Sequence, residues 1–268
     1  MRQQSSLARF LASAAVTAIL AAGLGGCQTM SDITGSITSK AGPSPDADPR
    51  GAVEAYGERY RANPKDAEAA LAYGQALRAT GQRDQAVAVL EQATIAHPGN
   101  RTLLAGYGRA LVDNGNFQQA FDVLSRAHTP DNPDWRILSV QGAALDQLGR
   151  HDDARRYYAS ALKIVPDEPS VLSNLGLSYV LSRDLPKAEE TLRRAYASTR
   201  ADARVRQNLG LVVGLQGRFA EAESIVKADL PAEQAAANVA YLKQMLSRKD
   251  NPRAGAGTIP VASLSHPD

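Results

Sequence analysis

Cys27 is the only thiol of the chain, and it closes a segment with a character of its own. Residues 1–9 (MRQQSSLAR) hold Arg2 and Arg9 and no acid; residues 10–23 (FLASAAVTAILAAG) are apolar; Leu24, Gly25 and Gly26 lead into the cysteine. Basic, apolar and small-residue regions in that order describe a secretory signal peptide. The apolar run is short of the roughly 20 residues that a membrane-spanning helix needs. A lone cysteine excludes an internal disulfide and any multi-cysteine zinc site. None of the four histidines, His97, His128, His151 and His266, stands at metal spacing with a second ligand. His97 and His128 are expected near the ends of helices, where a partly positive ring suits the dipole. Asp152 and Asp153 read as acids capping a helix start, with Asp131, Asp134, Asp167 and Glu168 in similar places at boundaries. No glycine-rich phosphate loop follows a strand. These side chains predict no catalytic group, no metal, no cofactor and no small-molecule substrate: a protein that binds rather than an enzyme.

The elements that position these groups are set by a period. The stretch from Trp135 to Glu168 is 34 residues long, and its landmarks return at that interval in both directions. Gly142 has copies at Gly74, Gly108, Gly176 and Gly210, and Ala154 has copies at Ala86, Ala120, Ala188 and Ala222. A turn glycine recurs at Gly81, Gly115, Gly149 and Gly217, with Arg183 in its place in the fourth copy. A repeated period takes precedence over any other reading of such a chain. Within 67–100, Ala70, Tyr73, Gly74 and Leu77 recur at the three-and-four spacing of one buried helical face. Gly81 ends that helix, Ala86, Val89, Leu90 and Ala93 form a second stripe, and Pro98 closes the unit. Small residues at Gly74 and Ala86 are expected to let two helix backbones approach closely. No convincing strand is present.

This register resembles the tetratricopeptide repeat, a helix–turn–helix of 34 residues. It matches at the glycine and alanine columns, at Leu90, Leu124, Tyr158, Leu192 and Val226, and at Pro98 and Pro166. It departs where the family's early tryptophan gives way to Ala70, Leu104, Leu138, Leu172 and Arg206, and where Asp229 replaces a small residue. The resemblance implies an all-α, right-handed superhelical solenoid whose first helices line a groove for protein segments. By that likeness the groove-facing residues include Arg78, Arg109, Asp113, Arg136, Ser139, Ser173, Asn174, Arg204, Gln207 and Asn208. Asn174 and Asn208 hold equivalent places: either they bond a ligand's backbone, as in several peptide-binding arrays, or they satisfy their own helices. Arg109, Arg136 and Arg204 give the groove a positive tendency that would suit an acidic segment; solvated surface arginines are the alternative.

The remainder falls into flanks. Residues 49–66 are expected to form a half-repeat helix, 67–230 five repeats, 231–248 a capping helix and 249–268 a disordered tail. A capping helix is required because a terminal repeat leaves an apolar side open. Ala235, Val239, Leu242, Met245 and Leu246 line one face of that helix. Residues 27–48 read as a flexible tether rich in Ser, Thr, Gly, Pro and Asp. The chain of 268 residues carries 30 Lys+Arg against 28 Asp+Glu; with residues 1–26 removed the two are equal at 28, which argues against nucleic acid as a partner.

Leu24-Gly25-Gly26-Cys27 resembles the lipobox of bacterial lipoproteins, which implies a covalent lipid on Cys27 and a stable membrane anchor. Gln28, where an Asp would signal inner-membrane retention, implies an outer-membrane lipoprotein facing the periplasm. The anchor, the five repeats and the closing AAANVAYLKQML together resemble the lipoproteins of the tight-adherence (Flp pilus) assembly system. That likeness implies protein partners such as the pilus secretin. Two alternatives stay open: a pilotin-like lipoprotein of another secretion or type IV pilus system, and a repeat adaptor for envelope proteases or peptidoglycan enzymes.

Overall fold

The computed structural model describes residues 49–250, so the leader, Cys27, the tether and residues 251–268 lie outside it. The described residues are all-α, with twelve helices and, for β pairing, one isolated bridge between Thr129 and Asn132. No helix among them is long and apolar enough to cross a membrane. The chain divides into two compact bodies, through Ala201 and from Asp202.

In the first body, α1 (Pro49–Ala62) precedes four pairs. Their first helices are α2 (Ala67–Ala79), α4 (Arg101–Asp113), α6 (Trp135–Gln147) and α8 (Pro169–Leu181). Their second helices are α3 (Arg83–Ala96), α5 (Phe117–Leu124), α7 (His151–Ile164) and α9 (Leu185–Tyr196). The second body holds α10 (Ala203–Leu215), α11 (Phe219–Val226) and α12 (Ala232–Asp250).

Each first helix starts on a side-chain cap. Asp66, Asn100, Asp134, Glu168 and Asp202 stand 34 residues apart, and each accepts from a backbone N–H of the first turn. The distances run from 2.8 Å at Asp134 to 3.5 Å at Glu168. Such a cap satisfies amides that have no partner inside the helix. The second helices of the first three pairs start without one: their preceding residues, Gln82, Asn116 and Arg150, make no side-chain cap bond. Asp152 and Asp153 therefore do not cap α7. They sit in its first turn, where their charge suits the dipole, and pair with Arg155 and with Arg150 and Arg156.

Between the two helices of each pair the chain makes the same turn. The amides of Gln82, Asn116, Arg150, Asp184 and Arg218 reach back five residues to carbonyls of the first helix, at 2.8–3.2 Å. This bond needs a left-handed residue just before it. Gly81, Gly115, Gly149 and Gly217 supply it with φ of 75–83°, and Arg183 does so with φ 63°. The fourth repeat thus keeps the turn without the residue suited to it.

The glycine column makes room for side chains of the paired helix. A Cβ on Gly74, Gly108, Gly142, Gly176 or Gly210 would lie 2.4–2.6 Å from Leu90, Leu124, Tyr158, Leu192 or Val226 respectively. These are the large side chains of the paired second helix. Each glycine is a socket for one side chain, and the two columns are a single knob-and-socket device sixteen residues apart. Ala86, Ala120, Ala154, Ala188 and Ala222 sit one turn before the knobs, all at 0–1% exposure.

Local departures have local compensation. Pro186 falls in the first turn of α9, where its missing N–H is harmless. In the second body, Arg206 occupies the tryptophan position and Asp229 the small-residue position. The two are bonded, Nε–Oδ2 at 2.6 Å and Nη2–Oδ1 at 2.5 Å. On α12, Ala235 and Leu242 are buried and Val239, Met245 and Leu246 half-buried, with Leu242 against Gly214 of α10. On the other flank, α1 meets α2 through stacked rings of Tyr60 and Tyr73, 5.7 Å apart.

Candidate protein-binding face

Successive first helices of the first body, α2, α4, α6 and α8, lie side by side. Their facing side chains decide what this surface can hold. At the C-terminal turn of α2, Arg78 donates from Nε to Asp113 Oδ2 on α4 at 2.6 Å. The two side chains are 12% and 17% exposed, so the pair is largely withdrawn from water. One turn earlier on α4, Arg109 is half-buried, and its Nε is buried without an acceptor. Its pKa is pushed down from 12.5 to about 10, first by burial and next by the guanidinium of Arg78; Arg136 adds to the shift, and Asp134 and Asp113 oppose it.

Arg136 belongs to the first turn of α6. Its guanidinium carbon lies 4.4 Å from the centroid of the Trp135 ring, and its Nε too is buried without an acceptor. Asp134, the nearest carboxylate in sequence, accepts from the Arg136 backbone N–H at 2.8 Å. The structure thus brings Arg78, Arg109 and Arg136 into one cluster with Asp113 and Asp134.

Further along, Asn174 of α8 donates from Nδ2 to Ser139 Oγ of α6 at 3.1 Å. Ser139 is 1% exposed and Ser173 5%. Both serines are buried, and Ser139 accepts the Asn174 amide of the neighbouring first helix. Arg204, Gln207 and Asn208 belong to the second body and are half-buried. Arg204 donates to its own cap, Asp202, from Nε at 3.3 Å and Nη2 at 3.2 Å. Asn208 is engaged as well.

The three described histidines, His97, His128 and His151, hold structure. His97 ends α3, with Nε2 2.8 Å from the carbonyl of Lys65. His128 lies beyond the end of α5, contrary to its expected place, in the connection to α6; its Nε2 is 3.1 Å from Gln141 Oε1. His151 joins a buried node that sequence reasoning missed. Asp146 of α6 accepts from the hydroxyls of Tyr158 at 2.9 Å and Ser178 at 2.8 Å, and His151 Nδ1 stands 2.9 Å away. Burial raises the pKa of Asp146, against the lowering effect of its three partners. Burial, and then the charge of Asp146, holds the Tyr158 hydroxyl well above its usual range. One signal was in the sequence: the only tyrosine in the knob column needs a partner for its hydroxyl. Among the described residues no group of three or more His, Cys, Asp or Glu could hold a metal.

Comparison with known proteins agrees with this architecture. A family model for anaphase-promoting complex, cyclosome, subunit 3 matches residues 52–127, and one for the tetratricopeptide repeat matches 126–169 and 139–203. No curated protein matches in sequence. Among solved structures, the chain is similar to one in the APC/C hetero-tetramer Cut9–Hcn1, at 18% identity and TM-score 0.61, over 77% of this chain and 41% of that one. It therefore spans less than half the length of that relative. PilW, a type IV pilus biogenesis factor, is similar at 18% identity and TM-score 0.62, over 72% of this chain and 90% of PilW. TTC0263, a thermophilic repeat protein of Thermus thermophilus, is similar at 22% identity and TM-score 0.56, over 68% and 97%. At these identities the likeness is one of fold.

Proposed function

We propose that the chain is a lipid-anchored scaffold of the tetratricopeptide-repeat kind that binds protein segments. In this reading it works at the periplasmic face of the outer membrane and assists assembly of the tight-adherence (Flp) pilus machinery, as TadD-type lipoproteins do. The observation that carries the reading is Leu24-Gly25-Gly26-Cys27, placed after an apolar run and before the repeats. A diacylated and N-acylated cysteine supplies enough buried methylenes, at about 0.8 kcal/mol each, to hold a protein stably on a bilayer. The closing AAANVAYLKQML supports the narrower assignment. PilW, of similar fold, is itself named for pilus biogenesis. The first-helix face would hold a segment of the secretin while the lipid keeps it at the membrane.

Cys27→Ser tests this. The expected result is a folded repeat array that incorporates no labelled fatty acid, with fewer secretin multimers in the outer membrane. No label on the wild-type cysteine would overturn the anchor. Unchanged pilus output and secretin level in the variant would overturn the assembly role. The binding face is tested by a photo-crosslinking side chain at Gln75 or Asn174 on first helices, against Ser160 on the exposed side of α7. Crosslinked partner is expected from the first two positions and not from the third.

A further inference from the structure

Three guanidinium groups, Arg78, Arg109 and Arg136, come from three successive first helices, and both carboxylates among them are already engaged. Asp113 accepts from Arg78 at 2.6 Å, and Asp134 accepts from the Arg136 backbone amide at 2.8 Å. Among the described residues the side chains of Arg109 and Arg136 make no hydrogen bond or ion pair, and the Nε of each is buried without an acceptor. A buried donor left unmatched is disfavoured, and a charged one more so. Arg136 carries a further penalty, because a cation in the first turn of a helix opposes the macrodipole. Its guanidinium carbon lies 4.4 Å from the centroid of the Trp135 ring, a cation–π contact that uses none of its N–H donors.

The charges of this cluster sum to one unit of positive charge, the complement of a single carboxylate. First helices flank the Arg109–Arg136 pair on both sides, α2 before and α8 after, so a bound chain passes across the pair rather than ending at it. We propose that Arg109 and Arg136 together bind the carboxylate of one internal Asp or Glu in an extended segment of the partner protein. This rests on the first-helix face being the protein-binding face. Guanidinium forks match a carboxylate geometrically as well as by charge. Asp113 and Asp134 already offset two of the three guanidinium charges, so the preferred segment carries one acid, not an acidic run.

The test uses the full-length protein and three labelled peptides of Ser, Ala and Thr. One has a single central Glu with both ends blocked, the second has Gln in its place, and the third is neutral with a free C-terminal carboxylate. Fluorescence anisotropy is expected to show binding of the Glu peptide. Arg109→Gln and Arg136→Gln should each weaken it by about tenfold or more without changing the far-UV circular dichroism. The Gln peptide should bind weakly and equally to all forms. The proposal is overturned if the Glu peptide does not bind wild type, if it binds the variants equally, or if only the free C-terminal carboxylate depends on the two arginines. Crosslinks to the cellular partner from Gln75 and Asn174 separate this from the wider reading. Crosslinks at full strength in the double variant would remove the carboxylate assignment and leave the binding face intact. None from these positions in wild type would remove the face itself.

Discussion

Replacing Gly142 with alanine puts one methyl group where a tyrosine ring already is. The new Cβ would lie 2.6, 2.8 and 2.9 Å from Cε1, Cζ and Cδ1 of Tyr158. Comfortable carbon contacts begin at about 3.5 Å, so the ring must retreat by most of an ångström. It has little freedom to do so. Tyr158 is 1% exposed, and its hydroxyl is tied to Asp146 at 2.9 Å. Overpacking of this kind costs about 1–3 kcal/mol, and strain on a hydrogen bond to a charged group adds to it. Against this, alanine is favoured over glycine inside a helix by roughly 0.5–1 kcal/mol. The net expectation is a loss of about 2 kcal/mol in urea unfolding followed by far-UV circular dichroism, set by the overpacking range. Gly176→Ala should cost less, because one branch atom of Leu192 lies at 2.6 Å and the others at 3.1 Å, and an aliphatic side chain can turn aside. Gly99→Ala meets nothing within 4 Å and should stay within about 0.5 kcal/mol of wild type. In a Tyr158→Ala background the Gly142→Ala penalty should vanish, a coupling of the size found for contacting residues. A penalty that survives removal of the ring would refute the knob-and-socket account.

Two further results are expected. Arg183→Gly should stabilise the protein by about 0.5–1 kcal/mol, because the left-handed conformation at φ 63° strains a residue with a Cβ; a lower urea midpoint would contradict this. The pH dependence of stability should carry the signature of Asp146. Burial raises its pKa above the ordinary 3.8, so the folded chain keeps this proton longer than the unfolded one. The contribution is fully present below the ordinary value and is lost as pH rises through the raised one. Asp146→Asn cannot lose it, so the midpoint of the variant relative to wild type should climb as pH rises above the ordinary carboxylate value. A flat or falling difference would count against the burial argument.

The fold was legible because its period is written in residue types that packing enforces. A socket admits only glycine, and a knob only a large apolar group, so Gly74 with Leu90 and its copies repeat visibly. Arg183 shows the limit, since there the geometry persists after the residue type is lost. The caps at Asp66, Asn100, Asp134, Glu168 and Asp202 keep the same period. Three residue types can do that task, so matching identities hides them. The candidate face was legible in part. Position in the repeat gives a side chain's direction but not its depth. Arg109 and Arg136 accordingly come together as first-helix residues, while Ser139 and Ser173 prove buried. The Asp146 node was hidden because its donors come from non-equivalent places, Tyr158 and His151 on α7 and Ser178 on α8.

The junctions between neighbouring pairs do not share the period. The first pair meets the second through Arg78–Asp113 and through Tyr107 bonded to Glu91; the third meets the fourth through Ser178–Asp146 and Asn174–Ser139. Only a hydroxyl donating to a carboxylate occurs at both junctions, and it does so between non-equivalent places, Tyr107 with Glu91 of a second helix and Ser178 with Asp146 of a first helix. A helix pair lifted from one place and set in another would keep its socket, knob and turn but find the wrong partner on each side, with a carboxylate or guanidinium left facing none. The repeats are therefore alike as folding units and distinct as neighbours. Their order is encoded in the seams, and deleting or duplicating a pair changes more than the length of the array.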